Sequence, residues 1–289
     1  MNNIDKIYGL CIHSERRKNL EKYEKILNIN IDTSLTHNSF GKDKEYYIER
    51  NLIVPDYPYS IGAIGCTLSF GNIYKDIIDN KYKYALIFED DIDWNSEFYG
   101  EISKDVFLNE INKIDFDGSW DIFYLGTENK GEIKNQKHIK DNIYELETGK
   151  IEIPLRERTY KSFNISGSSN KTRHRNFGGQ QAFILSYNGA EQILKYYNPA
   201  YTISDGLVGY NIMNGNIINR SFIPTLFTQL SHPRLEQFDN KLWASQTGTN
   251  YWNTSEKYDE NMKKNKKGCS AKPLSHKYNS DDMVKYKND

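Results

Sequence analysis

One stretch of the chain joins a buried strand directly to a concentrated negative charge. Five apolar or aromatic residues begin at Tyr84, and within the next five positions come the carboxylates Glu89, Asp90, Asp91 and Asp93. Carboxylates this close repel one another, so a folded protein keeps them mainly where a cation or a cationic substrate binds. Hard oxygen ligands favour Mg²⁺ or Mn²⁺. A strand that ends in ligands is typical of an open α/β sheet, where substrates bind outside the carboxyl ends of the strands. A solvated acidic turn after a core strand is the alternative.

The remaining apolar patterns predict one α/β domain. Strands are predicted at Ile4–Ile12, Trp120–Gly126 and Gln181–Leu185, and helices begin at Ser14 and near Phe70. Because strands and helices alternate, we expect a mostly parallel central sheet flanked by helices. The domain is assigned to residues 1–253. Residues 254–289 are rich in Lys, Asn and Asp, and we expect a polar, flexible C-terminal tail.

A polar insertion interrupts the alternation at residues 127–177. Within it, Tyr144–Glu147 and Lys150–Ile153 flank Thr148 and Gly149, which predicts a hairpin. Inserted loops of this kind often select the substrate. We therefore expect the insertion to lie on the acceptor side of an active site.

Composition excludes several classes of partner. The net charge of −1 supplies no field toward nucleic acid or an anionic membrane. Three cysteines are too few for a disulfide framework and favour a reducing compartment. No segment approaches the roughly 20 apolar residues of a membrane span, and the N-terminus lacks the apolar run of a signal peptide. We expect a soluble cytoplasmic protein, and the Asn, Lys, Ile and Tyr bias is compatible with an AT-rich bacterial or large-virus genome.

Four ordered segments carry a resemblance to a known family: Gly62–Phe70 (GAIGCTLSF), Ala85–Asp91 (ALIFEDD), Trp120–Gly126 (WDIFYLG) and Gly179–Ser186 (GQQAFILS). Together they resemble glycosyltransferase family 25, which includes lipooligosaccharide glycosyltransferases and collagen β-galactosyltransferases. The resemblance covers about residues 4–229. The chain departs from the family at Phe70, where a His is common, and at Cys11–Arg17, which lacks the Asn-Leu pair of the family's I-N-L-x-R pattern.

The resemblance implies a GT-A type fold that binds a UDP-sugar, with galactose or glucose as the sugar and Mn²⁺ or Mg²⁺ between the diphosphate and the acidic motif. Such a metal stabilises charge on the leaving nucleotide. Glu89 and Asp91 stand where the family places its acidic pair, and residues i and i+2 of an extended segment point the same way. Asp91 is the expected direct ligand and Glu89 its partner, through a ribose or water-mediated contact. Asp93 is the alternative, and Asp90 is expected to turn away and hold the loop.

Other donor contacts are expected from three segments. Arg16 or Arg17 takes the nucleotide-contacting position of the family's first strand. Gly178, Gly179 and Gln180 allow the backbone to approach the sugar. The basic segment Lys171–Arg175 could close over the diphosphate, although an exposed charge run is its commoner explanation. His232, which follows the family-like stretch Pro224–Gln229, could complete the metal shell, although a lone His is usually not a ligand.

The family is assigned as inverting, which implies a base that takes the proton of the acceptor hydroxyl. Asp205 stands where the family carries an Asp after the Gly-Ala helix, and a helix cap is its alternative role. Asp121 is the second candidate, although its place in a strand suits a structural hydrogen bond.

The sequence thus predicts a metal-dependent inverting glycosyltransferase. Its acceptor would be a hydroxyl of a glycan, a lipid-linked saccharide or the hydroxylysine of a collagen-like protein. An inactive protein that only binds a nucleotide-sugar on the same fold is the main alternative. A metal-dependent phosphohydrolase ranks last, because two metals need more separated acidic or His ligands than this chain offers.

Overall fold

A computed structural model describes residues 1–11, 14–39, 41–127, 136–146 and 179–230, without the side chains of residues 14, 15, 136, 146 and 213. In these residues nine strands form one sheet. The strands are β1 (Lys6–Leu10), β2 (Tyr84–Glu89), β3 (Ile92–Trp94), β4 (Ile122–Gly126), β5 (Gln136–Lys140), β6 (Ile143–Leu146), β7 (Ala182–Ser186), β8 (Asn219–Phe222) and β9 (Phe227–Gln229). The helices are α1 (Ser14–Leu27), α2 (Lys44–Glu49), α3 (Ile61–Asp79), α4 (Ser96–Tyr99), α5 (Lys104–Ile111), α6 (Tyr187–Leu194) and α7 (Ser204–Met213).

The sheet is mixed, so the expectation of a mostly parallel sheet is wrong. Its order is β1-β2-β7-β4-β8-β6-β5, and β9 pairs with both β3 and β4. The pairs β1–β2, β4–β8 and β4–β9 are parallel, whereas β7 runs antiparallel to both β2 and β4. The sequence pattern indicated alternating strands and helices, but it did not reveal that β7 enters the sheet between β2 and β4.

Both faces of the central strands are covered, which explains the unbroken apolar run of β2. Ala85 and Ile87 face a core that includes the apolar side of α3. Leu86 and Phe88 face a second core with residues of α1 and α5. Strand β2 is therefore packed on both faces, and this packing fixes the position of its acidic carboxyl end.

Helix α3 begins at Ile61, well before Phe70, where the apolar pattern placed it. Ser60 caps it, since its side chain accepts a hydrogen bond of 3.1 Å from the backbone N–H of Ala63. The glycines of the first family-like motif are thus helical, and they form the N-terminal half of α3. This early start brings Gly62 and Gly65 to the edge of the sheet where β1 and β2 end.

The expected hairpin is also revised. Strand β6 overlaps the first predicted arm of the hairpin, but it pairs with β5, which precedes it, and with β8. The second arm, Lys150–Ile153, lies outside the described residues, as do the 253/254 boundary and the tail. None of the described helices is both long and apolar enough to cross a membrane.

Candidate active site

A pocket of about 120 Å³ opens at the carboxyl ends of β1 and β2. It is bounded by the end of β1, by the segment 36–39, by the N-terminal half of α3 and by the turn after β2. Its lining residues are Leu10, Cys11, Arg16, Thr36, His37, Ser39, Gly62, Gly65, Cys66, Ser69, Glu89, Asp90, Asp91 and Gln229. The predicted acidic cluster is therefore brought to a concave site.

Three consecutive carboxylates line this pocket. Strand β2 ends at Glu89, and Asp90 and Asp91 form a tight turn before β3 begins at Ile92. Because the turn breaks the strand's alternation, Asp90 faces the pocket as well, contrary to the expectation that it turns away. It also holds the turn as expected, since its backbone carbonyl accepts a hydrogen bond of 3.0 Å from the Asn19 side chain.

Of the two candidate arginines, Arg16 lines the pocket and Arg17 does not. Arg16 Nη1 donates to Asp90 Oδ1 at 2.8 Å, and its side chain is only 6% exposed. Burial raises the pKa of Asp90 to about 6, although the Arg16 charge opposes this shift. Arg17 instead pairs with Glu24 on the same helix at 2.9 Å. Among the described residues that line the pocket, Arg16 carries the only positive charge, because burial keeps His37 neutral at pH 7.

The charges around the Glu89 carboxylate are mostly negative. Burial raises its pKa well above the usual range, and the charges of Asp91, Asp205 and Asp90 add to this effect, while Arg16 opposes it. Its carboxylate accepts no hydrogen bond from the described residues. Such a site favours the binding of a cation.

Asp91 is held by strand β9. Its Oδ2 accepts a hydrogen bond of 3.0 Å from Gln229 Nε2, and its backbone carbonyl accepts one of 2.7 Å from the N–H of Leu230. Asp93 does not line the pocket: its Oδ1 lies 3.4 Å from the hydroxyl of Tyr23 on α1. The structure therefore brings Glu89 and Asp91 together and leaves Asp93 outside.

His37 and Cys66 are lining residues that sequence reasoning missed. His37 Nε2 lies 3.2 Å from the hydroxyl of Tyr47, and burial lowers the pKa of the imidazole to about 4. Burial and the nearby carboxylates raise the pKa of the Cys66 thiol well above its usual value. Both groups are neutral at pH 7. No local pattern marks His37, which reaches the pocket through a loop, whereas Cys66 lies within a motif whose helical position was not foreseen.

Ser69 has a structural role, because its hydroxyl joins helix α3 to the segment 36–39. Its hydroxyl donates to the carbonyl of Gly65 at 2.7 Å and accepts from the N–H of His37 at 2.8 Å. The approach is close: a Cβ at Gly65 would stand 2.6 Å from Ser39 Oγ. The segment 36–39 is therefore fixed against α3 because position 65 carries no side chain.

Asp205 lies in the first turn of α7 and contributes to the field at Glu89. Its Oδ2 accepts a hydrogen bond of 3.1 Å from the N–H of Gly179, which has a φ of +83°. The N-cap of α7 is Ile203, so Asp205 does not occupy the cap position. Gln180 is 1% exposed and does not line the pocket. Gly178, Lys171–Arg175 and His232 lie outside the described residues.

Asp121 lies at the end of the strands opposite the pocket, immediately before β4 begins. Its Oδ1 accepts from Asn188 Nδ2 at 2.6 Å, and its Oδ2 accepts from the N–H of Ile218 at 2.8 Å. The register of β7 with its neighbours places Asp121 level with the start of β2, not with its acidic end. This geometry fits the structural hydrogen bonds considered for Asp121 and separates it from the pocket.

Most of the elements that form the site lie within the range that a family model matches. The family model described as "Glycosyltransferase family 25 (LPS biosynthesis protein)" matches residues 9–208. The chain belongs to glycosyltransferase family 25. The matched range includes the end of β1, helix α3, the acidic turn and Asp205.

Individual members of family 25 match shorter segments. Mouse "Procollagen galactosyltransferase 2" is 28% identical over 89 residues, which cover 31% of this chain and 13% of the mouse protein. Xenopus laevis "Procollagen galactosyltransferase 1-A" is 28% identical over 130 residues, 42% of this chain and 20% of that protein. Human "Inactive glycosyltransferase 25 family member 3" is 34% identical over 87 residues, 27% of this chain and 14% of that protein. The matches thus span a fifth or less of these relatives.

The departure of this family 25 member at Phe70 lies in the core. Phe70 is fully buried, with its ring centroid 5.9 Å from that of Phe183 and 6.0 Å from that of Tyr74. It does not line the pocket, whereas its neighbour Ser69 does. Phe70 therefore packs in the core behind α3 and is not part of the lining of the site.

The donor set fits a cation that is shared with a substrate. Within the described part of the chain, no three His, Cys, Asp or Glu side chains are grouped as a metal site. The pocket instead offers Glu89 and Asp91, with Asp90 engaged by Arg16. Mg²⁺ is commonly bound by one or two carboxylates together with substrate phosphates, and Mn²⁺ favours the same oxygen ligands. The residues are compatible with this arrangement and do not form a cage made of protein ligands alone.

Proposed function

We propose that this protein is a metal-dependent glycosyltransferase that transfers a hexose from a UDP-sugar to a hydroxyl group, with inversion and on a GT-A type fold. The observation that carries the proposal is the pocket at the carboxyl ends of β1 and β2, where three carboxylates face a single buried arginine. Family membership supports transfer of a sugar.

The excess negative charge of the pocket has a role in this reaction. A divalent cation held by Glu89 and Asp91 would neutralise the charge that develops on the leaving nucleoside diphosphate. Asp90 and Arg16 keep the acidic turn in place through their buried ion pair. Gly62, in the first turn of α3, lines the same pocket, so the partial positive charge of this helix end would lie near the diphosphate.

Asp205 is the proposed base. Its carboxylate is near the acidic pocket but is attached to a different element, the first turn of α7. Its Oδ2 accepts a hydrogen bond from the N–H of Gly179, which orients the carboxylate. Asp205 would take the proton of the acceptor hydroxyl as the new glycosidic bond forms. Asp121 has no part in this scheme.

The acceptor remains within the three classes named from the sequence. The names of the mouse and Xenopus relatives favour galactose as the sugar and a collagen-like protein as the acceptor. The family description favours a lipopolysaccharide-type glycan or lipid-linked saccharide. An inactive nucleotide-sugar-binding protein is the second candidate, and the human relative named as inactive supports it.

Slow hydrolysis of the donor tests the proposal without an acceptor. Release of UDP is measured from a panel of UDP-sugars, with and without Mn²⁺, for the wild type, Asp91→Ala and the control Asp93→Ala. We expect one donor to be hydrolysed only with metal, Asp91→Ala to lose this activity and Asp93→Ala to retain it. Tight UDP-sugar binding without turnover of any donor, even with a panel of acceptors, would instead establish the inactive protein, and no binding would refute the proposal.

A further inference from the structure

We propose that Gln181 and Gln229 are positioning residues, whose side-chain amides form a chain of hydrogen bonds that orients Asp91 in the pocket. The proposal rests on the proposed function, because it concerns the carboxylate assigned to the metal. Neither glutamine was among the sites expected from the sequence.

The contacts form a continuous line. Gln229 Nε2 donates to Asp91 Oδ2 at 3.0 Å, and Gln229 Oε1 accepts from Gln181 Nε2 at 3.3 Å. Gln181 is 1% exposed, so its amide is shielded from solvent that could replace this bond. A buried hydrogen bond to a charged group contributes more than a neutral exposed one.

The hydrogen bonds of the chain run in one direction. The Asp91 oxygen is the acceptor, so Gln229 presents its Nε2 to Asp91. Its Oε1 is then directed at Gln181, which presents Nε2 in turn. Rotating either amide by 180° would place two donors or two acceptors against each other. The two glutamines therefore form both hydrogen bonds in one arrangement only, which holds Asp91 in one orientation.

The backbone fixes both glutamines relative to the acidic turn. Gln229 lies opposite Ile92 in the β3–β9 pair, one residue beyond Asp91. The carbonyl of Gln181 accepts a hydrogen bond of 2.8 Å from the N–H of Glu89. Gln229 thus lies on β9, the neighbour of β3, and Gln181 immediately precedes β7, the neighbour of β2, so strand pairing places both glutamines beside the acidic turn.

The same segment also contacts Asp205. Gly179 donates its N–H to Asp205, and a Cβ at Gly179 would stand 2.6 Å from Gln181 Nε2. The amide of Gln181 is therefore packed directly against the backbone that holds the proposed base. Residues 179–181 therefore link the carboxylates of Asp91 and Asp205. The distance between these two carboxylates is set by this short, well-packed segment.

Mutual dependence of the two glutamines is the property that ordinary packing would not produce. Gln181 reaches Asp91 only through Gln229, so the effect of Gln181→Leu should vanish when Gln229 is already replaced. The test compares wild type, Gln181→Leu, Gln229→Leu and the double variant, with Thr228→Val as a control on the exposed side of β9. Gln229→Met, which retains an unbranched side chain, replaces Gln229→Leu if the latter does not fold.

The readout is the Kd of UDP in the presence of Mn²⁺, measured by calorimetry and without turnover. We expect Gln229→Leu to weaken binding by about 10- to 100-fold, as found for residues that orient metal ligands. Gln181→Leu should weaken it by about 2- to 10-fold. The double variant should match Gln229→Leu, and Thr228→Val should match the wild type.

The failure of this proposal is distinguishable from failure of the proposed function. If the wild type binds UDP with Mn²⁺ and the two single effects multiply in the double variant, the glutamines act independently and the chain is refuted. Unchanged binding in both single variants refutes it as well. A wild type that binds neither Mn²⁺ nor UDP would instead overturn the proposed function, and this proposal with it.

Discussion

Replacing Glu89 by Gln should stabilise the folded protein in the absence of metal while it impairs the proposed reaction. Burial and the charges of Asp91, Asp205 and Asp90 raise the pKa of Glu89 well above its usual range. The folded chain therefore binds a proton at pH values where the unfolded chain has released it. Glutamine has nearly the same shape and carries no ionisable proton, so the variant avoids this cost.

The expected magnitude follows from proton linkage. In the unfolded chain a Glu titrates near pH 4.3, and each further pH unit of retained protonation costs about 1.4 kcal/mol. Because the folded pKa is raised, the penalty is absent below the unfolded pKa, grows as the pH rises and levels off above the folded pKa. The stability gain of Glu89→Gln should thus grow by about 1.4 kcal/mol between pH 5 and pH 6, or about 3–6 °C in Tm.

Urea and thermal unfolding in EDTA at several pH values between 4 and 7 would measure this gain. Glu97→Gln, on the exposed surface of α4, is the matched control and should show no pH-dependent gain. UDP release with Mn²⁺ should fall in Glu89→Gln and remain in Glu97→Gln. The reasoning is refuted if Glu89→Gln is no more stable than the wild type, or if its gain is the same at every pH.

Three further outcomes are expected. Asp121→Ala should lower the free energy of unfolding by about 1–3 kcal/mol in urea titrations, because the buried Asp121 carboxylate accepts two hydrogen bonds that the variant loses, yet leave kcat unchanged; a loss of kcat alone would contradict its structural role. Gly65→Ala should reduce turnover by up to about a hundredfold, since its Cβ would displace Ser39; wild-type kinetics would show that the loop adjusts freely. In an NMR titration, the His37 imidazole should stay neutral down to about pH 4, so its contribution to stability grows as the pH rises from about 4 to 6.5; a midpoint near 6.5 would exclude this burial effect.

Several elements were predictable because their signals lie within one segment. The apolar run before Glu89 predicted β2, and the spacing around Leu20 and Tyr23 predicted α1. The ordered motifs predicted the family, which the match over residues 9–208 confirms. Such features depend on local periodicity and residue type, which neighbouring residues determine together.

Boundaries and partners were less accessible. Helix α3 begins earlier than its apolar pattern indicated, and in its first turns Gly65 lies against the segment 36–39 while Ala63 and Ile64 face the core. Helix α6 is capped by Ser186, whereas the nearby Asn188, also a common cap residue, donates to Asp121. In each case a contact with a distant segment replaced the local signal.

The sequence by itself determined that a buried strand ends in a cluster of carboxylates within a family 25 framework. Only the tertiary structure decided that Arg16 pairs with Asp90, that Asp91 and not Asp93 enters the pocket, and that Asp121 lies at the end of the strands opposite the pocket. The tertiary structure also showed that hydrogen bonds link Gln181 to Gln229 and Gln229 to Asp91. The physical reason is that strand order and direction bring residues into contact over separations of 48 to 138 positions, where no local periodicity carries information.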